Sequence, residues 1–130
     1  AAGWDWLGAN LEDGSALMAF RMRSKDGATV WAAGSIRSPG GALEVLAPDA
    51  IAFTPIRTWR SPRTGVTYPV AMEVRAGTRR WKLEPLLDDQ ELDARASTGT
   101  LYWEGAVRLE GDGKGGGYLE LTGYGERVPF

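Results

Sequence analysis

The stretch Tyr102-Trp103-Glu104-Gly105-Ala106-Val107 and the stretch Gly117-Tyr118-Leu119-Glu120-Leu121-Thr122-Gly123-Tyr124 both alternate polar and apolar side chains. Alternation with a period of two is typical of β-strands whose two faces meet different surroundings. The glycine-rich run over residues 111–117 joins the two stretches and predicts a hairpin turn. A closed antiparallel sheet with two unlike faces can hold a ligand, so this hairpin favours a barrel.

The rest of the chain repeats this arrangement of short strands between turns. Short strands at this spacing predict an all-β fold, an antiparallel barrel or sandwich with little helix. The best helix candidate is one or two turns within residues 86–95, and residues 48–50 start another turn. We expect strands over residues 4–11, 16–24, 29–37, 43–46, 52–60, 67–75, 80–86, 100–110 and 117–124.

The composition excludes several classes of function. A chain of 130 residues forms one domain, and its net charge of −2 gives no basic stripe for nucleic acid. No apolar run approaches the roughly 20 residues that a membrane-spanning helix needs, and no signal peptide is visible. Without histidine or cysteine, Ser-His and Cys-His nucleophiles, ordinary zinc sites, haem ligation and disulfides are excluded. We expect no metal and no cofactor.

The alternation also predicts which side chains face the interior. In the second strand Met18, Phe20 and Met22 alternate with Arg21 and Arg23, so we expect the apolar side chains inside and the arginines outside. The same rule places the apolar residues of two later strands inside: Val70, Met72, Val74, Trp81 and Leu83.

Glu104 and Glu120 are the candidate acid–base residues. A carboxyl whose pKa is raised by an apolar pocket can protonate a substrate, and Tyr102 and Tyr124 could orient it. Alternatively, the two glutamates form a cross-strand ladder on the outer face with three arginines, because one sequence does not show which face points inward. Those arginines are Arg21, Arg23 and Arg108.

Three further features each have two interpretations. The tryptophans line an apolar ligand pocket or form an ordinary core; they are Trp4, Trp6, Trp59, Trp81 and Trp103. The acidic run over residues 88–93 holds a hard cation or is a solvated connection, in which Asp89-Gln90-Glu91 hydrogen-bonds backbone and stabilises a turn. Arg60 and Arg63 bind an anionic head group or belong to a plain hairpin.

Six segments together resemble the AttH-like proteins, which are related to carotenoid 1,2-hydratases. The more specific of them are Trp59-Arg60-Ser61-Pro62-Arg63-Thr64-Gly65 and Tyr102-Trp103-Glu104-Gly105. Tyr68-Pro69 follows the segment from Trp59 to Gly65 and belongs with it. The other four segments are Gly3-Trp4-Asp5-Trp6, Leu17-Met18 running to Arg21, Asp89-Gln90-Glu91 and the final stretch over residues 117–124. The match is to the C-terminal domain of the family and covers nearly the whole chain.

The resemblance implies a lipocalin-like (calycin) barrel over residues 1–130, the C-terminal half of a longer two-barrel protein. It implies export to the periplasm or outside the cell, and association with a membrane-transport system. The expected partners are the N-terminal barrel of the same protein and a hydrophobic small molecule, a lipid or polyene. The candidate ligand-binding residues are Trp4, Trp6, Trp59, Tyr68, Tyr102, Trp103 and Tyr124.

Three functions stay open at this point. The preferred one is a domain that binds a hydrophobic ligand or provides a scaffold for handling it. The alternative is an enzyme, a hydro-lyase of the carotenoid 1,2-hydratase type or a cyclase, in which Glu104 or Glu120 is the acid. The third is a structural module whose tryptophan-rich face packs on the missing barrel.

Overall fold

A computed structural model describes residues 2–125, and within them the chain is almost entirely β-sheet. The strands are β1 Gly3–Leu11, β2 Ala16–Arg23, β3 Thr29–Arg37, β4 Leu43–Leu46, β5 Ile51–Arg60, β6 Thr67–Ala76, β7 Arg79–Pro85, β8 Glu91–Ala94, β9 Thr100–Gly111 and β10 Gly115–Thr122. A single 3₁₀ turn, Pro48–Ala50, precedes β5 within the described residues, at the position predicted from sequence.

The strands form one antiparallel sheet in the order β4-β3-β2-β1-β10-β9-β7-β6-β5, and β8 pairs with β9 outside this path. The sheet curls until β5 meets β2 and β3. A side chain on Gly34 would lie 2.6 Å from Ile51 Cδ1, and the Arg21 guanidinium lies 5.6 Å from the Phe53 ring centroid. Within residues 2–125 no ladder joins β4 to β5, so packing completes the curl. The predicted all-β, lipocalin-like fold is confirmed.

Two local predictions were wrong. The helix candidate within residues 86–95 contains the strand β8, because tertiary hydrogen bonds hold this segment extended: Trp103 Nε1 donates to the Asp88 carbonyl at 2.8 Å, and Gln90 Oε1 accepts from Ala106 N at 2.9 Å. The last strand begins at Gly115, not Gly117. A Cβ on Gly115 would lie 2.2 Å from the Asn10 carbonyl oxygen, so this glycine allows β1 to approach.

The orientation of β2 is the main correction to the predicted faces. Arg21 and Arg23 point into the barrel and are buried, whereas Met18, Phe20 and Met22 lie half-buried on the outer face. The cause is Asp5, a fully buried carboxylate on β1 directly opposite Arg21. For β6 and β7 the predicted faces are confirmed.

Large side chains pack together in the barrel interior. The biggest of the fully buried side chains are those of Trp81, Trp103, Tyr68, Leu7 and Met72. They belong to one cluster that also includes the inward residues of β1, β9 and β10. This cluster supplies most of the apolar burial that stabilises the domain.

Candidate functional site

Glu104 and Glu120 lie side by side on the outer face of the sheet. They are direct partners in the ladder between β9 and β10, and both side chains are half-buried. Directly opposed residues of an antiparallel pair bring their Cβ atoms within about 4.5–5.5 Å. The structure therefore joins the two candidate acid–base residues into one carboxyl pair.

Aromatic side chains surround this pair. Trp4 Nε1 donates a hydrogen bond to Glu120 Oε2 at 3.0 Å. Trp6 lies opposite Glu120 in the neighbouring ladder, is 36% exposed, and its ring lies over Gly8, where a Cβ would be 2.5 Å from the indole. Tyr102 lies on the same face as Glu104, two residues before it. The pair thus has aromatic neighbours on β1 and along β9.

The apolar surface continues across the sheet in rows of laterally paired residues. One row runs over six strands from β8 to β3: Leu92, Tyr102, Thr122, Trp4, Met22 and Trp31. With strands about 4.8 Å apart, six strands span about 24 Å. We call this surface the outer aromatic face; it comprises Trp4, Trp6, Met18, Phe20, Met22, Trp31, Leu92, Tyr102, Glu104, Tyr118, Glu120 and Thr122.

The surroundings of the carboxyl pair raise the pKa of one of its two members. Burial, the charge of Glu120 and a hydrogen bond with Glu120 raise the pKa of Glu104 above its ordinary value. Burial and the same two carboxylates also raise the pKa of Tyr102. Within residues 2–125 no salt bridge involves either glutamate. The ladder with Arg21 and Arg23 does not form, because both arginines point inward.

Thr122 adds an unusual polar group to the outer aromatic face. Its side chain lies in the row between Trp4 and Tyr102 and is 2% exposed. Its Oγ1 has no hydrogen-bond partner among the described residues. Buried hydroxyls are nearly always paired, so this oxygen has spare capacity for a hydrogen bond.

The remaining candidate ligand residues lie on the other side of the sheet. Trp103 is fully buried, Tyr68 stacks on Trp59 at 6.3 Å between ring centroids, and Tyr124 meets Tyr68 edge-on at 6.1 Å. These four side chains belong to the core or pack against it. The structure therefore divides the predicted set in two, with Trp4, Trp6, Tyr102, Glu104 and Glu120 outside.

A buried charge network occupies the interior near Tyr124, and sequence reasoning missed it. Asp5 accepts from Arg21 Nε at 2.6 Å, from Arg23 Nη1 at 2.7 Å and from the Tyr124 hydroxyl at 2.8 Å. Arg23 also lies over the Tyr124 ring, 3.8 Å from its centroid. Burial and the charge of Asp5 raise the pKa of Tyr124, so its hydroxyl stays a donor. The sequence contained an indication of this network, because Asp5 lies two residues before Leu7 and the two side chains therefore share the inward face of β1.

Glu91 organises the turn of the most specific sequence motif. Its Oε1 accepts from Ser61 Oγ at 2.6 Å, and its Oε2 accepts from Thr64 Oγ1 at 2.7 Å and from the Tyr68 hydroxyl at 2.8 Å. Arg63 forms two hydrogen bonds with Asp89. The Asp89-Gln90-Glu91 segment therefore stabilises a turn, and the Arg63 guanidinium is engaged there.

We expect Glu91→Gln to destabilise the domain by about 1.5–3 kcal/mol, the range for hydrogen bonds to a charged group. The amide presents an NH₂ where the carboxylate accepts hydroxyl hydrogens, so part of the network is lost. Urea unfolding at neutral pH measures the difference. Glu73→Gln is the control, because Glu73 pairs with Arg80 at the surface and its loss should be within about 0.5 kcal/mol.

The difference in unfolding free energy between the wild type and Glu91→Gln should become smaller at acidic pH. Burial opposes ionisation of Glu91, but hydrogen bonds from Ser61, Thr64 and Tyr68 and the charge of Arg63 lower its pKa overall. A lowered pKa in the folded state stabilises above the pKa of the unfolded chain, and this contribution is lost as pH falls through the folded value. Equal losses for both variants at every pH would contradict this role of Glu91.

Sequence comparison now identifies the family. The AttH-like family profile matches residues 1–124 of this chain. The chain belongs to the AttH-like family. Comparison with curated proteins found no match. The family assignment confirms the resemblance found in the sequence motifs.

Solved structures share the fold of this AttH-like domain. The crystal structure of an AttH protein from Nitrosomonas europaea shares 56% identity with a TM-score of 0.91 over 95% of this chain and 39% of that chain. Kievitone hydratase from Nectria haematococca shares 23% identity with a TM-score of 0.72 over 93% of this chain and 39% of that chain, which shows a common fold. The domain thus spans 39% of the length of each solved chain.

In this AttH-like domain, arginines form salt bridges with the acidic run over residues 88–93. Arg57 pairs with Asp88 and Glu84, and Arg63 pairs with Asp89. From residue 2 to residue 125, no group of three acidic side chains is arranged to hold a metal ion. The same part of the chain contains no helix with the length and apolar character needed to cross a bilayer.

Proposed function

We propose that this AttH-like domain binds a hydrophobic small molecule, a lipid or polyene, against its outer aromatic face. The observation that carries the proposal is the carboxyl pair, Glu104 and Glu120, set within exposed and half-exposed aromatic side chains. Ligand sites are mostly apolar and contain a few placed polar groups. Trp4, Trp6 and Tyr102 supply the apolar part, and the carboxyl pair with Thr122 supplies the polar part.

The packing of large side chains in the described interior supports this location. Trp81, Trp103 and Tyr68 occupy the space that an open lipocalin-like barrel would offer to a ligand. An outer sheet face encloses a ligand only if a second surface covers it. We propose that the remainder of a longer protein, an N-terminal barrel, supplies that surface, since the solved relatives extend well beyond the matched region. We also propose that the protein is exported from the cytoplasm and associates with a membrane-transport system.

A hydratase is the second candidate, and the raised pKa of Glu104 favours it. Hydration requires a proton to reach one alkene carbon while a water oxygen bonds to the other. Glu104 would give the proton, and Glu120 would take the proton that the attacking water loses. The hydrogen bond between the two carboxyls then returns that proton to Glu104. Kievitone hydratase carries a hydratase name, but the likeness to it shows the fold alone.

One experiment tests both candidates with the full-length protein and an acyclic carotenoid as probe. We expect binding in a fluorescence titration, and we expect Trp6→Ala to weaken it about tenfold, as for a central aromatic contact. If the domain is catalytic, mass spectrometry will show addition of one water, and Glu104→Gln will reduce turnover about 10²–10⁴-fold without abolishing binding.

Val45→Ala is the matched control. Val45 is a well-exposed apolar residue on the edge strand β4, two strands beyond Met18 and away from the carboxyl pair, and its loss should leave affinity unchanged. Affinity that is insensitive to Trp6→Ala would contradict the proposed location. Binding without water addition would support the first candidate and exclude the second for this probe.

A further inference from the structure

We propose that Gly8 is a positioning residue of the outer aromatic face. It leaves room for the Trp6 indole to lie along β1 as a stacking platform, and this platform makes the site prefer planar conjugated molecules to saturated chains. The inference rests on the proposed function, because it concerns how the same face selects its ligand. Its first half, the position of the indole, can be tested without a ligand.

Gly8 lies in the middle of β1, where the backbone does not require a glycine. It pairs with Met18 of β2 on one side and with Tyr118 of β10 on the other, and its φ is not positive. A glycine within a strand weakens the strand, because it has no side chain to pack, and it often marks a place that another group approaches closely. The reason for Gly8 therefore lies outside its own backbone conformation.

The group that approaches Gly8 is the indole of Trp6. A Cβ at residue 8 would lie 2.5 Å from Trp6 Cη2, 3.1 Å from Cζ2 and 3.2 Å from Cζ3. The two residues share the outer face of β1, so the ring extends along the strand into the space that a side chain of residue 8 would fill. The side of the ring toward the sheet is covered by Gly8, and Trp6 is still 36% exposed on the side turned away from the sheet.

This ring lies beside the carboxyl pair. Trp6 is the ladder partner of Glu120, and Glu120 is the ladder partner of Glu104. Stacking between flat π systems raises affinity about 2–12-fold beyond the effect of area burial. A conjugated chain offers such a flat surface, whereas a saturated chain of the same length buries apolar area without stacking. The preferred ligand is therefore planar and conjugated, with its π system against Trp6.

Gly8→Ala should displace the indole without unfolding the domain. The new methyl group meets the far end of the Trp6 side chain, which can rotate away from the sheet because the ring is partly exposed. Gly116→Ala is the matched control: Gly116 lies on the same face of the sheet, on β10, and its φ is not positive. Among the described residues, the atom nearest to a Cβ at Gly116 is the Val107 carbonyl oxygen, at 3.8 Å.

The first measurement locates the ring by NMR of the full-length protein without ligand. In the wild type we expect a nuclear Overhauser effect between Trp6 Hη2 and the Hα protons of Gly8. It should disappear in Gly8→Ala and persist in Gly116→Ala. An absent effect in the wild type would overturn the inference, whatever the protein binds.

The second measurement compares an acyclic carotenoid with its fully hydrogenated analogue, the latter by competition. The ratio of the two affinities should fall about 2–12-fold in Gly8→Ala and in Trp6→Leu, which keeps an apolar side chain but removes the ring. It should stay unchanged in Gly116→Ala. Comparing the change in this ratio separates stacking from the other differences between the two molecules.

The outcomes distinguish this inference from the proposed function. A ratio that Gly8→Ala and Trp6→Leu leave unchanged would overturn the ligand preference, while the proposed function would stand because a hydrophobic molecule still binds. If neither molecule binds and the contact between Trp6 and Gly8 is present, the proposed function and the ligand preference both fail. The positioning role of Gly8 is then supported alone.

Discussion

Asp5→Ala is expected to destabilise the domain by about 3–5 kcal/mol, because it leaves two arginines buried without their carboxylate. Asp5 is fully buried, and its oxygens accept from Arg21 and Arg23 and from the Tyr124 hydroxyl. Both arginine side chains are nearly inaccessible to water, so solvent cannot replace the lost partner. Urea unfolding followed by tryptophan fluorescence measures the loss.

Asp89→Ala is the control for this prediction. Asp89 also pairs with an arginine through two hydrogen bonds, but the Arg63–Asp89 pair is open to solvent, and exposed pairs contribute little. The loss should therefore be far smaller than for Asp5→Ala. Similar losses for the two variants would show that burial of the Asp5 network does not determine its energetic weight.

Trp103→Ala is expected to cost about 3–5 kcal/mol, the range for deleting a large core aromatic. The side chain is fully buried, and its Nε1 donates to the Asp88 carbonyl at 2.8 Å, which ties β9 to the segment before β8. The substitution leaves a cavity in the core and an unpaired carbonyl. The midpoint of a urea melt, compared at constant slope, gives the difference.

Trp31→Ala tests whether burial, and not residue type, sets this cost. Trp31 is 50% exposed on the outer face, where it meets Phe20 edge-on at 6.1 Å. Its removal should cost about 1 kcal/mol or less. A loss below about 1 kcal/mol for Trp103→Ala would contradict the position of that side chain in the core.

Much of the fold was readable from local signals. Turn residues between short alternating segments predicted antiparallel strands, and nearly every expected segment is a strand in the structure. The alternation in β9 predicted that Trp103 and Glu104 lie on opposite faces, and the structure has Trp103 inside and Glu104 outside. The family motifs predicted the lipocalin-like curl and the turn held by Asp89-Gln90-Glu91.

The failures have a common physical cause. The direction in which a strand faces depends on its neighbours as well as on its own composition, and β2 shows this most clearly. Its methionines and Phe20 were expected inside, but Asp5 on the adjacent strand requires the arginines there. Likewise, the segment before β8 is extended because it forms hydrogen bonds with β9. Trp103 Nε1 donates to the Asp88 carbonyl, and Gln90 Oε1 accepts from Ala106 N. Both bonds join residues that are distant in the chain.

The sequence by itself determined the class of fold, the family and the alternation of polar and apolar side chains along the strands. These features depend on turn residues and on a period of two, which act over a few residues. Only the tertiary structure decided which glutamates, tryptophans and arginines meet. The register of the strands placed Glu104 beside Glu120, and it brought Trp4 beside Thr122 and within hydrogen-bond distance of Glu120. The curl of the sheet buried Asp5 with its two arginines. These contacts join residues up to 119 positions apart, as between Asp5 and Tyr124, so no local pattern specifies them.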